Sequence, residues 1–539
     1  MEKYAFGGAF LVFILSFFFF SLLYLNSKTV QVPVSSNLYT EGLIGQPTFI
    51  NPVISGGNDV DNDLSEIVFG NLEDLIDYYK VDESGKVWNI FLKSDLKWSD
   101  GKPLTSDDVV YTIETIQDPS SRSPLFATWQ GVAAERISEL EIEFNLRAPY
   151  AFFLDNLNKF KVIPKHIFGI IPPSNFRLSD YNLEPVGSGP YKFVSYDKRK
   201  DGFITAYHFA TNENYATSTP FIRNFDVSFF QDTAEIIKAF NNKKIDGFGN
   251  LDPKKIADIK ISRKFIEAAM PRYYAVFFNP NSHEALKEKI VRQAMELATD
   301  KKKIVEKIFD NKALIVNGPL LPTMTGYNPA TESSQEFSVE KSAELLEKNG
   351  WTINKDSGIR EKKIGSNIFK LEFDVVVPQI QFLIDTANIM KEDWKNAGIN
   401  LNPVVLSPSE INDEVIKTRN YQMIIFGNIL KNNPDIFSFW HSSERFYPGL
   451  NLAIYENKKV DELLESARKE LKEEKRIESL GKLQELINED KPAIFLYSPA
   501  YIYVGPKDLG GFTEEMISSS AERFNGLNKW HLRTVRVFK

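Results

Sequence analysis

Trp88–Thr112 reads WNIFLKSDLKWSDGKPLTSDDVVYT. Its opening half, within Val87–Lys97, alternates apolar and polar side chains, the period-two pattern of half-buried strands. Asp100-Gly101 follows as a turn signal, because glycine accepts the positive φ that tight turns demand. Thr105 stands three residues before Asp108, so the hydroxyl can cap a helix whose positive end the carboxylate then faces. Val109, Val110, Ile113 and Ile116 give that helix one apolar face.

Working outward, the same α/β grammar returns. Leu371–Val377 is a strand-like run. Ile380, Leu383, Ile384, Ala387 and Trp394 then fall at helical spacing, and Gly398 is placed to end the helix. Ile399–Leu406 and Tyr421–Phe426 are further strand candidates. Strand, helix, strand in that order predicts a right-handed crossover between parallel strands. Asp232 and Glu235 open another helix, carrying Ile236, Ile237 and Phe240, before Ile245-Asp246-Gly247-Phe248. Val460–Ile487 is a long charged amphipathic stretch, and Ala493–Val504 returns to strand. The expectation is an α/β protein with two lobes.

At 539 residues, 43% apolar and 25% charged, the chain is globular and long enough for more than one core. A net charge of −8 argues against a nucleic-acid surface. Tyr4–Leu25 is a run of 22 residues without charge. As a helix it would span about 33 Å, enough for a bilayer core. No small-x-small cleavage site follows, so an uncleaved single-pass anchor is expected. Lys3 and Lys28 flank the segment, and the charge rule only weakly favours an internal N-terminus. With no cysteine in the chain, there is no lipid-modified Cys, disulfide or thiolate metal site.

Catalytic signatures are missing. The five histidines, His166, His208, His283, His441 and His531, form no HExxH-like pair. Gly187-Ser188-Gly189 is followed by Pro190, where a nucleophile elbow would begin its helix. No glycine-rich phosphate loop precedes a helix. The chain is read as a non-enzyme without cofactors, an anchored hydrolase being the rival from another class.

Several segments, in order, resemble the family 5 extracellular solute-binding proteins, which serve oligopeptide, dipeptide and nickel importers. Trp88–Thr112 resembles the family's signature hairpin and helix, and Val186–Phe193 (VGSGPYKF) its Gly-Thr/Ser-Gly-Pro-Tyr. Within Ala275–Ile308, FFNP and VRQAMELATDKKKIVEKI are similar to its Val-Arg-Gln-Ala helix. Ser338–Trp351 (SVEKSAELLEKNGW), Ala397–Val405 (AGINLNPVV) and Asn451–Leu464 (NLAIYENKKVDELL) continue the match. These motifs are mostly fold-building: a turn, a helix start, a tight bend.

The resemblance implies a periplasmic-binding-protein-like fold with an extra subdomain. It divides the chain into an anchor and linker (1–35), lobe I (36–272, with an insertion about 76–182), lobe II (273–490) and a C-terminal return to lobe I (491–539). Tyr273–Asn279 and Ala493–Val504 would cross between lobes and carry the hinge. The ligand, a short peptide, would be enclosed between the lobes and passed to the permease of an ABC importer by a monomer outside the cytoplasmic membrane. A non-peptide nutrient such as an oligosaccharide or nickel chelate is the alternative, and a tethered sensor or chaperone a further one.

Implied contacts lie on the loop after Asn51-Pro52, with Asn58 and Asp59, and on the strand end Gly427-Asn428-Ile429, whose backbone could pair with an extended peptide. Phe126, Trp129, Trp440 and Tyr447 could stack on the ligand, and Asn451 and Arg445 could meet its polar groups. The family's amine-binding aspartate is missing. Counting forward from Gly427 reaches Lys431, counting back from Pro434 reaches Leu430, and Asn428 stands where the family has Trp. Asp435 or Asp59 would have to substitute, because an ammonium in a closed cleft needs a partner.

Overall fold

Thr105 caps the helix Ser106–Gln117 in a complete capping box with Asp108. Val109, Ile113 and Ile116 of that helix are buried. The strand before it is Val87–Leu92, with Trp88, Ile90 and Leu92 buried in alternation. Gly101 takes φ +85° at the turn. These elements belong to a computed structural model that describes residues 28–332, 336–430 and 433–538. Tyr4–Leu25 and Lys431 lie outside the described residues. Among the described residues, no helix is long and apolar enough to cross a membrane.

Two large sheets organise the chain. The first has seven strands, in spatial order Lys264–Ala268, Tyr501–Gly505, Gly247–Phe248, Ser36–Ile44, Ile222–Phe230, Ile204–Thr211 and Tyr191–Lys198. The second has six: Ala313–Ile315, Ala493–Pro499, Arg272–Phe278, Met423–Ile429, Glu372–Pro378 and Asn400–Leu406. Glu372–Pro378 and Asn400–Leu406 are parallel, joined through the helix Gln381–Asn396. A four-stranded antiparallel sheet (Ile76–Val81, Val87–Leu92, Glu141–Leu146, Val132–Ser138) packs into the core of the first lobe.

The chain crosses between the large sheets twice. One link is Ala269–Pro271, between Lys264–Ala268 and Arg272–Phe278. At the other, the expected single strand Ala493–Val504 is two strands in different sheets. The Ala500 N–H still donates to the Lys312 carbonyl, one step beyond the Ala313–Pro499 pair, and from Tyr501 the chain pairs with Lys264–Ala268 in the other sheet.

The charged stretch Val460–Ile487 also divides, into Lys458–Lys469 and Glu473–Asp490, packed on each other. The Lys472 N–H turns back to the Glu470 carboxylate in the break. Gly187 and Gly189 are explained by close approach, since a Cβ at either would overlap the Val68 backbone. Residues 29–34, expected as linker, form a strand instead. Val30, Val32 and Val34 carry the alternation, and Thr29–Val34 pairs antiparallel with Arg533–Phe538 at the other end of the chain.

Candidate ligand-binding site

A cavity of about 470 Å³ lies where segments distant in sequence meet. The loop after Asn51 contributes Pro52, Ser55 and Gly56. The helix Asp59–Val68 contributes Asn62, Ser65 and Glu66, its N-terminus held by the Asn58 side chain, which accepts from the Val60 N–H. Trp129 forms a wall against Phe160, ring centroids 4.6 Å apart. The helix Phe153–Asn158 and its exit bring Asp155, Asn156, Lys159 and Lys161, and the C-terminal segment brings Glu522 and Asn525. Asn433 is the contribution of the second lobe.

Most charges here are already paired. Lys161 donates to Glu66 at 3.0 Å, the Phe69 carbonyl at 2.8 Å and Asn71 at 2.8 Å, which uses all three of its donors. Burial nevertheless holds the Glu66 carboxyl above its ordinary value, with Lys161 pulling the other way. Glu522 accepts from Lys159 at 2.6 Å. Burial would raise its carboxyl, but Lys159 and Ser518 outweigh it and hold the group below its usual range. Asp155 differs: no side-chain hydrogen bond reaches its carboxylate among the described residues. Burial raises it, opposed by Arg476 and Lys159. Lys159, four residues on, spends one donor on Glu522 and keeps the others.

Behind the cavity, Arg523 grips Asp63 with two hydrogen bonds, at 3.0 and 2.9 Å, and Glu41 with two more, at 3.2 and 3.0 Å. The Tyr503 hydroxyl donates to Glu41 at 2.6 Å. All four residues are buried. This cluster ties the helix Asp59–Val68 to the C-terminal segment and to Tyr501–Gly505, the strand that follows the second crossing.

The sequence-expected residues divide. Trp129 lines the cavity, while Phe126, half-buried on the same short helix, does not. Asn58 is engaged as a helix cap and borders a neighbouring cavity of about 320 Å³, and Asp59 is exposed in the first helical turn. Trp440 is a core residue whose indole N–H points to the Tyr273 hydroxyl at 3.3 Å, so it is closed to a ligand. Asn428 is likewise buried and donates to Tyr273 at 2.9 Å. Asn451 is fully buried and bonds the His441 and Tyr455 backbones. Gly427 packs against the Tyr274 ring, and Ile429 is exposed.

Asp435 is occupied by protein groups. Its carboxylate accepts from Arg468 Nε at 2.9 and 3.0 Å and from the Tyr150 hydroxyl at 2.9 Å. Tyr150 belongs to the first lobe, and Asp435 and Arg468 to the second, so the trio joins them. The Ala151 N–H adds a bond of 2.7 Å to the Arg468 carbonyl. Sequence reading missed Tyr150, Arg468, Glu66 and Lys161, because no local pattern marks partners so far apart.

Met423–Ile429 pairs along its length with Arg272–Phe278, but with Glu372–Pro378 only at Met423 and Ile424. From Ile425 to Ile429 its other edge has no strand partner among the described residues. No group of three or more His, Asp or Glu able to hold a metal occurs among them either.

Two lobes of mixed α/β structure, linked by two crossings, with a cavity lined by the first lobe and reached from the second by Asn433, define a solute-binding protein. The chain belongs to the bacterial extracellular solute-binding proteins, family 5 (Middle), whose model matches residues 73–447. It is 24% identical over 518 residues to the oligopeptide-binding protein AppA of Bacillus subtilis, covering 90% of each chain. It is 26% identical over 299 residues, 52% of this chain and 53% of the relative, to the nickel-binding periplasmic protein of Escherichia coli. The crystal structure of the ABC transporter substrate-binding protein CtaP of Listeria monocytogenes matches with TM-score 0.77 at 22% identity, over 92% of this chain and 99% of that one. That likeness speaks for the fold.

Proposed function

We propose that the chain captures short peptides between its lobes for an ABC importer, without turning them over, while tethered outside the membrane by Tyr4–Leu25. The observation that carries this reading is the free edge Ile425–Ile429, which leads within four residues to Asn433 at the cavity. An extended peptide can add to that edge through main-chain hydrogen bonds, which are indifferent to side-chain identity. Lobe I is taken as 36–272 with an insertion at about 76–182, lobe II as 273–490, and 491–539 as the return to lobe I. Bending falls at Ala269–Pro271 and Ala500. A ligand that touches both lobes favours the closed form by its differential affinity, and a permease can read that shape.

Asp435 is consumed by Tyr150 and Arg468, so the peptide amine falls to Asp155, the lining carboxylate without a hydrogen bond. Lys159 beside it can meet a ligand carboxylate. A second reading rests on the asparagines of the lining, Asn62, Asn71, Asn156, Asn433 and Asn525. They offer donors and acceptors without charge, which suits a neutral polar solute such as an oligosaccharide.

Native mass spectrometry of the purified protein should show co-purified peptides. In calorimetry, Asp155→Asn should weaken a free-amine peptide about tenfold and spare its N-acetylated form, the cost of losing one charge-assisted contact in a closed cleft. Protein stripped of ligand that ignores a peptide library and binds sugars would replace the first reading by the second.

A further inference from the structure

The ribbon made by the chain's two ends is built unlike the rest of the protein. Thr29–Val34 and Arg533–Phe538 pair over their full length and take no third strand among the described residues. Val30 lies opposite Val537 and Val32 opposite Val535. Directly opposed residues share a face, and so do residues two apart, so these four and Val34 form one valine stripe. Val30, Val535 and Val537 are 43%, 45% and 39% exposed. None of the hydrophobic clusters of the body includes any of the five. A two-stranded ribbon is marginal by itself in water, and an uncovered apolar face makes it more so.

Charge separates the ribbon from the body as well. The whole chain carries −8, yet no acidic residue occurs from Asn26 to Thr40 or from Phe524 to Phe538. Lys28 precedes the first strand and Arg533 continues the valine face opposite Val34, while Arg536, opposite Gln31, lies on the other face. An apolar stripe flanked by basic residues is the composition of a surface that lies on anionic lipid.

Position adds a third argument, which rests on the anchor proposed above. Thr29 is four residues beyond Leu25, where the uncharged segment ends. Four Cα steps reach at most about 15 Å. The headgroup layer takes up about 5–8 Å of that distance, and the field of an anionic surface extends about another 10 Å into solution. On an anchored chain the Thr29–Phe538 end of the ribbon therefore cannot leave the region where lipid charge is felt.

We infer that this ribbon is a membrane-surface contact, with the valine stripe against the headgroup boundary and Lys28 and Arg533 against anionic phospholipid. The contact holds the seven-stranded lobe next to the bilayer and leaves the six-stranded lobe to move.

The absence of cysteine makes a clean test possible. The full chain carrying Val537→Cys, labelled with an environment-sensitive fluorophore, is reconstituted into phosphatidylglycerol-containing vesicles with a lipid-attached quencher. Ser357→Cys, exposed in the other lobe, is the control. Quenching at residue 537 with none at 357 is expected. Lys28→Gln and Arg533→Gln together should lower the docked-to-undocked ratio about 25-fold, roughly fivefold per basic side chain, while the protein still floats with the vesicles. Flotation with residue 537 no more quenched than 357 overturns the ribbon contact and leaves the anchor standing. Failure to float overturns both. Self-quenching at 537 that follows protein density and ignores lipid charge means that a second copy covers the stripe, which also overturns the inference.

Discussion

Replacing Tyr150 by Phe removes one hydroxyl from the contact that joins the lobes. In the native chain that hydroxyl donates to Asp435 at 2.9 Å, and Arg468 holds the same carboxylate through Nε. Burial, then the Asp435 charge, push the phenol above its usual range, so it stays a donor at any physiological pH. A hydrogen bond to a charged group is worth about 1.5–3 kcal/mol when removal leaves the partner unsatisfied. Arg468 remains to satisfy Asp435, and Tyr150 is only half-buried, so water recovers part of the loss. About 1–2 kcal/mol remains, which shifts the open-to-closed ratio roughly 5- to 30-fold.

Other interlobe contacts survive the change. The Ala151–Arg468 backbone bond remains, as does Arg476 over the Phe152 ring at 5.3 Å. Leu471, in the break between the two helices, still packs on Gly85 of the first lobe. Tyr150→Phe should therefore open the ligand-free protein without unfolding it. A fluorophore pair, one dye on each lobe at introduced cysteines, reads the distance distribution directly. Ligand affinity should fall by no more than the factor by which the closed population falls. An unchanged distance distribution, with affinity within twofold of the parent, would show that the contact does not bias closure.

Two predictions concern the buried cluster behind the cavity. Glu41 is raised to about 7 by burial, against the pull of Arg523 and Tyr503. The folded chain therefore keeps a proton that the unfolded chain releases near 4.5, and the stability this lends is complete below 4.5 and lost as pH rises to about 7. Denaturant midpoints at pH 5 and 8 should fall for the parent, by an amount on the order of 3 kcal/mol at most, and fall less for Glu41→Gln; parallel behaviour of the two proteins would refute the assignment. Arg523→Met leaves Glu41 and Asp63 buried without their cation, at a cost of about 3–5 kcal/mol. The loss should be greater at pH 8 than at pH 5, where protonation relieves the pair; a pH-independent loss would point to packing instead.

The parts legible in the sequence are those whose causes are local. Thr105 and Asp108 satisfy each other within one helical turn, so their capping box could be read from four letters. The Leu371–Leu406 crossover could be read because each strand and the helix between them carries its own period. The cavity has no such signal. Glu66 and Lys161 are 95 residues apart, Tyr150 and Asp435 285, and Lys159 and Glu522 363. Trp129 and Trp440 look alike as letters and both end short helices, yet only Trp129 lines the cavity, because tertiary packing turns Trp440 onto Phe277 and Phe495 in the core of the second lobe. The break at Ala500 was hidden for a related reason. Ala493–Pro499 and Tyr501–Gly505 are both apolar runs, and what separates them is that their partner strands lie in different sheets, which no run of letters reveals.

The loop Gly427–Pro434 connects these observations. Family members named for peptides lead the expectation of an aspartate there, and this chain has none at either aligned place. Its nearest acid, Asp435, serves Arg468 and Tyr150, so a carboxylate next to the strand Met423–Ile429 is part of the contact between the lobes. If Asp155 takes the amine instead, the charged anchor sits in the first lobe, while main-chain pairing at Ile425–Ile429 sits in the second. A peptide would then dock first by its terminus on one lobe and recruit the other through its backbone. Closure would depend on having an extended backbone to pair with, so a ligand with an amine but no peptide bonds should bind the open form and fail to close it. An amino acid amide with a single side chain, compared with a tripeptide in the two-dye distance measurement, separates these steps. Equal closure by both would place the closing energy in the amine site and remove the strand edge from the mechanism.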